Sequence, residues 1–429
     1  MRLRHVVTCF LENPADGSVL LGCRSEKVAT YPGHWAAISG SVEDIPPLEQ
    51  AYCEIEEETG LDRSCVDLAR AGRPVRFPDW ALGTLWVVHP FLFTCNGPER
   101  VRCDWEHLEF RWLAPDDMAG LQTVPRLRDA WRSASTGAGG DSAEALFQAI
   151  RDDREHGAEE LGLWTLEALE SASRAGADVT AACRRALGLR PSMAPIRSAL
   201  LRVFESARAA PNELPERIAG LIVRRERDGI APAAAAGDYI PDGTRVATLS
   251  SSFTVLCALR DWSERIAHLT VAESRPACEG RETARLAASF GIETELVTDA
   301  AAFATVGEVD LVLLGADSVI EDGSVVNKTG SLALACAAGR FGADVIALTT
   351  QSKILPAGFF CEMELMPGEE LGEPIEGVQA ANPYFESVPS DLIRFVVMES
   401  GAMSVEGLNQ VARELRLLQD ALMAGGSGI

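Results

Sequence analysis

Residues 309–342 read VDLVLLGADSVIEDGSVVNKTGSLALACAAGRFG, and this stretch decides the fold of the second half of the chain. VDLVLL is a short continuous apolar run, the pattern of a strand buried on both faces. It ends at Gly315-Ala316-Asp317. A turn follows at residues 321–323, and Asn327-Lys328-Thr329-Gly330 then opens a helix of small residues. An Asp at a strand end, with a Lys and a Gly at a helix start, suits an anionic or sugar substrate. A carboxylate there can act as general acid or base. Asp317 equally suits a turn or helix cap, and Lys328 a surface charge. Lysine is scarce, however. It occurs only at Lys27, Lys328 and Lys353, so a lysine inside a motif is more informative than usual.

The same rhythm extends on both sides. From about residue 243, RVATLS, HLTVAES, ETELVTD, VDLVLLGAD, DVIALTT and IRFVVME alternate with amphipathic helical segments. This predicts an α/β fold with a parallel sheet covered by helices, whose ligands sit at the carboxyl ends of the strands. Polar residues gather at those ends: 250–252, 273–275, Asp299, Asp317 and 349–350. Upstream, ALFQAIRDD, ELGLWTLEALESA and SALLRVFESARAA place apolar residues at three- and four-residue spacing, which predicts helices. Residues 133–142, SASTGAGGDS, are small, polar and Gly-rich and read as a linker. Residues 1–132 alternate short strand-like runs with turns and one acidic helix.

A length of 429 residues exceeds one ordinary domain. The formal net charge of -24 does not suit nucleic-acid binding, which needs basic groups against phosphates. Eleven cysteines, an odd number, show no CxxC spacing. The first residues are a short basic start and a strand-like run, not a secretory leader. Free thiols in a reducing cytoplasm are the expectation. No apolar run reaches the roughly 18 residues of a spanning helix, so no membrane partner is expected.

The acidic helix is AYCEIEEETGL, residues 51–61. Pro46 and Pro47 suit its first turn and Gly60 its exit. Leu48, Ala51, Ile55 and Thr59 share one face. Glu54, Glu57 and Glu58 are related by three and four residues and share another, where like charges repel by up to about 0.5 kcal/mol per pair. Magnesium or manganese would remove that repulsion. A solvated acidic face is the competing reading.

Three segments in this order, GHWAAISGSVE (33–43), EIEEETGL (54–61) and WEHLEFRWL (105–113), resemble the Nudix hydrolase family over about residues 3–132. The resemblance implies an α/β/α sandwich with a mixed sheet and hydrolysis of a nucleoside diphosphate derivative. It implies Mg2+ or Mn2+ held by Glu54, Glu57 and Glu58, with Glu57 also catalytic and Glu106 or Glu109 as a further ligand or base. Cys53 stands where the family has an arginine that orients the glutamates. Counting back puts Ser39 and Ile45 at the family's glycine and first glutamate, with Gly40 and Glu43 close by but out of register.

The second half resembles the family of translation initiation factor 2B alpha, beta and delta subunits, which includes sugar-phosphate isomerases acting on methylthioribose 1-phosphate and ribose 1,5-bisphosphate. The motifs that carry it are DREHGAEEL (153–161), RPSMAPIR (190–197), AESRPACEGRETA (272–284), the Gly-Ala-Asp and Asn-Lys segments, and NPYFESVPSDLI (382–393). The resemblance implies a helical subdomain at 143–235, a Rossmann-like subdomain at 236–429, and a homodimer or higher oligomer through the latter. It implies Asp317 as a catalytic acid/base and places the family's catalytic cysteine at Ser250. Arg197, Arg275 and Arg281 match positions suited to phosphate or ribose, with Asn327 and Lys328 flanking the sugar; ordinary salt bridging is the alternative for the arginines. Cys257 is expected to pack in a helix. The function expected is a Nudix-type hydrolase fused to a module that binds a small phosphorylated metabolite, sugar phosphate or nucleotide, with aldose–ketose isomerisation as its chemistry. The alternative is a regulatory or assembly protein of the initiation factor 2B kind with a degenerate Nudix domain.

Overall fold

The computed structural model describes residues 1–136, 143–153, 156–191, 193–359, 363 and 365–424. The chain divides into two compact units, Met1–Asp141 and Ser142–Ile429. In the first unit, strands β1 (Arg2–Glu12), β2 (Val19–Arg24), β3 (Trp35–Ala36) and β4 (Ile38–Ser41) precede helix α1 (Pro47–Thr59). Strands β5 (Val66–Ala71), β6 (Val75–Asp79), β7 (Thr84–Cys95) and β8 (His107–Leu113) follow, then α2 (Leu127–Thr136). All eight strands form one mixed sheet, in which β1 and β7 run parallel and the other pairings are antiparallel.

The two-residue period of β1 sets the layers. Val7, Cys9 and Leu11 pack in the cluster that holds Ala51 and Ile55 of α1. Phe10 points the other way, into the cluster with Leu127, Ala130 and Ala134 of α2. One helix therefore covers each face of the sheet. Pro47 opens α1, and Gly60 ends it in the left-handed region at φ 71°. The end of α2 corrects the linker reading. Ser133–Thr136 are its last turn, with Ala134 buried and the Ser133 hydroxyl bonded to the Arg73 carbonyl at 2.8 Å. The remaining linker residues, 137–142, lie outside the described residues, as do 154 and 155 of DREHGAEEL and 192 of RPSMAPIR.

The second unit begins with helices α3 (Ala143–Asp152), α4 (Ala158–Arg174), α5 (Val179–Ala186), α6 (Ala194–Ala209), α7 (Leu214–Asp228) and α8 (Ala231–Ala235). Alternation then sets in: β9 (Thr244–Leu249), α9 (Phe253–Asp261), β10 (Ile266–Ala272), α10 (Gly280–Ser289), β11 (Thr294–Val297), α11 (Asp299–Thr305) and β12 (Leu311–Leu314). Two short strands, β13 (Ser318–Val319) and β14 (Val325–Lys328), precede α12 (Ser331–Phe341) and β15 (Asp344–Leu348). The chain closes with β16 (Phe385–Val388), β17 (Phe395–Met398), β18 (Gly401–Met403) and α13 (Val405–Ala424).

The main sheet has the order β11-β10-β9-β12-β15-β17-β18, parallel except for β18. Its central strands are buried along their length, as expected for a sheet covered on both sides. From β9 the chain moves outward through β10 and β11, then returns to place β12 on the other side of β9. The strand order reverses between β9 and β12, and in sheets of this kind ligands bind in the crevice beyond the carboxyl ends at such a point. One apolar cluster runs from Leu146 and Leu166 in the helices to Leu249, Leu314 and Ala347 in the sheet, so the two parts of this unit share a core.

The start of α10 lies hard against β10. A Cβ on Gly280 would stand 1.9 Å from the Ala272 carbonyl oxygen, which is backbone and cannot swing aside. Gly280→Ala is therefore expected to destabilise the second unit by about 1–3 kcal/mol through overpacking, despite the better helix propensity of alanine. Thermal melting checks this; an unchanged melting temperature contradicts it.

Candidate functional sites

In the first unit the three glutamates of α1 do not share one environment. Glu58 is buried beside Ala51 and Ile55, Glu54 is half-buried, and Glu57 is exposed. Glu58 accepts from the Ser39 backbone N–H at 3.1 Å, while its second oxygen is buried with no hydrogen-bond partner. Burial raises the Glu58 carboxyl to about 9, and Glu54, Glu106 and Asp104 add to the rise. Glu54 accepts from Gln50 at 2.7 Å. Its carboxyl is also raised, first by burial and then by Glu57 and Glu106.

Gly40 makes this packing possible. A Cβ there would sit 1.7 Å from the Glu54 Oε1. The out-of-register glycine is thus the one that lets β4 approach the carboxylates, while Glu43 is exposed in the following loop. The clashing atoms are the far end of a flexible side chain. Gly40→Ala is therefore expected to leave the melting temperature nearly unchanged while turning Glu54 aside and lowering metal-dependent hydrolysis by at least tenfold. A phosphate-release assay beside a melting curve separates the two.

Cys53 is a free, exposed thiol. Three other groups face the glutamates instead: Gln50, the Ser39 backbone and Arg24. Arg24 hydrogen-bonds Thr30 and Ser39 and acts through space on Glu58 and Glu106. Glu106 is half-buried and coupled to Glu54 and Glu58, whereas Glu109 is exposed and pairs with Arg111 at 2.5 Å. Of the two further candidates, only Glu106 joins the cluster. His107 is buried between Asp104 at 3.1 Å and the Glu58 Oε2 at 3.6 Å. Burial lowers its pKa, while Asp104 opposes the fall.

Among the described residues no three His, Cys, Asp or Glu side chains converge as a ready-made metal site. The chemistry of the donors nonetheless fits a hard divalent cation. An orphaned carboxylate oxygen beside carboxyls whose pKa values are raised by burial and by one another is a donor set whose ionised form a cation stabilises.

In the second unit the polar strand ends meet at the crevice between β9 and β12. Asp317 follows β12 by three residues. Burial raises its pKa, Lys353 and Lys328 oppose the rise, and Glu159 adds to it. Two of the chain's three lysines thus act on this one carboxyl. Lys353 donates to the neighbouring Ala316 carbonyl at 2.5 Å. Lys328 donates to Glu279 at 2.8 Å and lies 3.7 Å over the Tyr384 ring. A Cβ on Gly315 would meet the Ser252 hydroxyl at 2.7 Å, so glycine admits Ser252 to the strand end. Asn327 is buried and donates to Ser331 at 2.9 Å.

Ser250 takes a left-handed conformation, φ 59°, as does Ser274 at φ 62° on the adjacent strand end. The two are locked together. The Ser250 N–H donates to the Ser274 hydroxyl at 2.6 Å, Thr283 donates to the Ser250 carbonyl at 2.6 Å, and Asp299 accepts from the backbone of both Ser274 and Arg275 at 2.7 Å. A non-glycine residue rarely adopts this geometry, and such strain concentrates at functional sites. Cys257 lies buried in α9, and burial pushes its thiol up to about 12, so it supplies no thiolate.

Two expectations need correction. Asn327 and Lys328 lie on strand β14, not at a helix start. The start of α12 is filled from within, because the Glu386 carboxylate accepts from the Gly330 and Leu332 N–H groups at 2.7 and 2.8 Å. It offers no free helix terminus to a phosphate. Arg197 is buried, donates to Gln419 at 2.7 Å and packs 4.2 Å from the Phe359 ring centroid, while its Nε has no hydrogen-bond partner among the described residues. Arg275 lies in the loop after β10 and bonds the Leu371 carbonyl, while Arg281 lies in the first turn of α10 and pairs with Glu273.

Sequence reasoning missed Glu159 and Lys353. Glu159, at the start of α4, accepts from Arg225 at 3.0 Å, Thr350 at 2.9 Å and Ser352 at 2.6 Å. Burial pushes its carboxyl up, but Arg225, Lys353 and the Ser352 hydroxyl outweigh burial and hold it at about 2. The scarcity of lysine was the available signal for Lys353.

Residues 133–405 match the model of the Initiation factor 2 subunit family. The chain belongs to that family. Residues 2–133 match the NUDIX domain. Among curated relatives, a ribose 1,5-bisphosphate isomerase of Archaeoglobus fulgidus is 31% identical over 175 residues, 39% of this chain and 56% of the relative. The translation initiation factor eIF2B subunit beta of Dictyostelium discoideum is 27% identical over 194 residues, 43% of this chain and 50% of that protein. The chain thus spans about half the length of these relatives. The solved structure of a Pyrococcus horikoshii translation initiation factor eIF-2B superposes with a TM-score of 0.51 at 24% identity, covering 61% of this chain and 96% of that one. This last likeness shows the fold alone. Among the described residues no helix is long and apolar enough to cross a membrane.

Proposed function

We propose that this member of the Initiation factor 2 subunit family binds a sugar phosphate at the β9–β12 crevice and interconverts its aldose and ketose forms. The observation that carries the reading is Asp317. It is a half-buried carboxyl of raised pKa at the strand-order switch, and it stands within the field of two lysines in a chain that has three. A carboxyl so placed, its pKa shifted upward by burial, is suited to give and take a proton. Lys328 and Lys353 supply positive charge for the phosphate, Asn327 lies beside the sugar, and the Ser250 hydroxyl bonds a substrate hydroxyl. The net reaction moves one hydrogen from C2 to C1. C2 is oxidised to a ketone as C1 is reduced, so no external oxidant is needed. Ribose 1,5-bisphosphate is the first substrate to test, because relatives named for its isomerisation align with this chain.

For the first unit the reading is hydrolysis of a nucleoside diphosphate derivative. Glu54, Glu57, Glu58 and Glu106 would hold magnesium or manganese there. The ion when bound neutralises the diphosphate charge. Arg24, Gln50 and the Ser39 N–H keep the carboxylates aimed. The second unit is the proposed site of self-association into a dimer or larger assembly, and the cytoplasm is the proposed location.

Ser250 favours a second reading. A serine at the family's cysteine position is a weaker acid and nucleophile, which suits a module that binds the sugar phosphate and acts on a protein partner without chemistry. A thermal-shift screen of ribose phosphates and nucleoside diphosphate sugars, with and without magnesium, followed by product analysis, tests both. Stabilisation with turnover supports the isomerase; stabilisation without turnover supports the binding module. Stabilisation by none of these compounds overturns both.

A further inference from the structure

We propose that the second unit has a separate binding site for a small phosphorylated metabolite in the cleft between α6, α7 and the loops that follow β15 and β17. The cleft encloses about 680 Å3, within the range of about 300–1,000 Å3 typical of small-molecule sites. Its walls carry Arg202, Arg217, Arg224 and Arg225 together with the carboxyls of Glu205, Asp228 and Glu399, and Arg224 and Arg225 act on Asp228. Four arginines converging on one cleft is unexpected in a chain of net charge -24.

The arginines are available in different degrees. Arg225 is buried and fixed by Glu159 and the Pro195 carbonyl at 3.0 Å each, so it forms a rigid floor. Arg202 pairs with Glu205 at 3.0 Å. Arg217 makes only an exposed contact with Glu213 at 3.6 Å. Arg224 is exposed and forms no ion pair within 4.0 Å among the described residues. Exposed pairs of this kind contribute little and give way to a better partner. A phosphate accepts two parallel hydrogen bonds from one guanidinium, which makes it that partner.

Asp228 and Glu399 select for something other than bare charge. Glu399 is half-buried and accepts from the Gln351 N–H at 3.1 Å. Burial raises both carboxyls, Glu399 to about 7, and Asp228 adds to the rise at Glu399. A carboxyl that is partly protonated at neutral pH both donates and accepts, which suits the hydroxyl groups of a sugar. The ligand chemistry is therefore a phosphate at the arginines with hydroxyls at Asp228 and Glu399.

This cleft is not the β9–β12 crevice. None of Ser250, Asp317, Asn327 and Lys328 lines it. Glu159 touches both places: it bonds Arg225 and Ser352 of the cleft and acts on Asp317 and Lys353 of the crevice.

Calorimetric titration of the full chain tests the site. Lys328→Met removes a cation from the crevice, and Lys328→Met/Arg217→Glu/Arg224→Glu additionally inverts the charge of two exposed cleft arginines. Each variant is titrated with inorganic phosphate, ribose 5-phosphate and adenosine 5′-monophosphate. Saturable binding of at least one probe to Lys328→Met, weakened tenfold or more in the triple variant at an unchanged melting temperature, supports the cleft. Tighter binding of ribose 5-phosphate than of inorganic phosphate assigns the hydroxyls to Asp228 and Glu399. Absence of saturable binding to Lys328→Met by all three probes, or undiminished binding by the triple variant, overturns it. The crevice reading is judged separately, by turnover in the unmodified chain.

Discussion

The Asp317→Asn variant is expected to lose at least about a hundredfold in sugar-phosphate turnover, the lower end of what a positioned acid/base contributes, while its melting temperature holds. The change is nearly isosteric and removes only the ability to give and take a proton. Asp317 carries a desolvation burden that raises its pKa, so replacing it with a neutral amide relieves strain in the folded state. If the residue were instead a turn cap, the opposite pattern would follow: a lower melting temperature and little effect on turnover. Steady-state rates beside a melting curve decide between them. A rate reduced less than tenfold contradicts the assignment.

Arg225→Met is expected to produce the largest change in stability. It leaves Glu159 without its nearest cation between α4 and the loop after β15. Breaking a fully buried pair costs about 3–5 kcal/mol; Glu159 keeps about a third of its side-chain exposure, so about 2–3 kcal/mol is the expected loss. The pH dependence has a definite sign. The Glu159 carboxyl sits at about 2 in the folded chain against an ordinary 4.5, so its ionised form favours folding. That contribution is complete above about pH 4.5 and is lost as pH falls toward 2. Urea unfolding at pH 7, 5, 4 and 3 should show a decline for the parent chain that is shallower in Arg225→Met. Equal slopes would mean that Arg225 is not what holds Glu159 ionised.

Much of the second unit was legible because buried parallel strands announce themselves as apolar runs. All six runs read from the sequence became strands of one sheet, with their polar residues at the carboxyl ends. The sequence carried no sign of the strand order, because the placement of β12 beside β9 depends on packing across more than sixty residues. Asn327 and Lys328 look like a helix start because Gly330 and a run of small residues follow them. They are a strand because β14 pairs with β16, whose Glu386 then fills the helix end. That partner lies too far along the chain for local spacing to reveal it. The partners of Arg197, Gln419 and Phe359, were hidden for a related reason: they come from distant segments.

In the first unit the helix and its carboxylates were legible from three- and four-residue spacing, since one helix places all three glutamates. The register of the preceding loop was not. Counting residues fixes neither how closely a loop approaches nor which glycine lies under Glu54. Arg24 and His107 were invisible because they reach the glutamates from β2 and β8. Gly22 makes room for His107, since a Cβ there would meet its ring at 2.2 Å. Gln50 on the same helix, with the Ser39 backbone and Arg24 from the sheet, stands in for the arginine replaced by Cys53.

The central claim is that Asp317 exchanges a proton with a sugar phosphate bound in the β9–β12 crevice. Carbon-13 NMR of ribose 1,5-bisphosphate labelled at C2, incubated with the full chain, follows the reacting carbon itself. The account predicts that the secondary-alcohol resonance gives way to a ketone resonance, and that Asp317→Asn slows this conversion at least about a hundredfold. A C2 resonance that stays unchanged in the presence of the unmodified chain would contradict it.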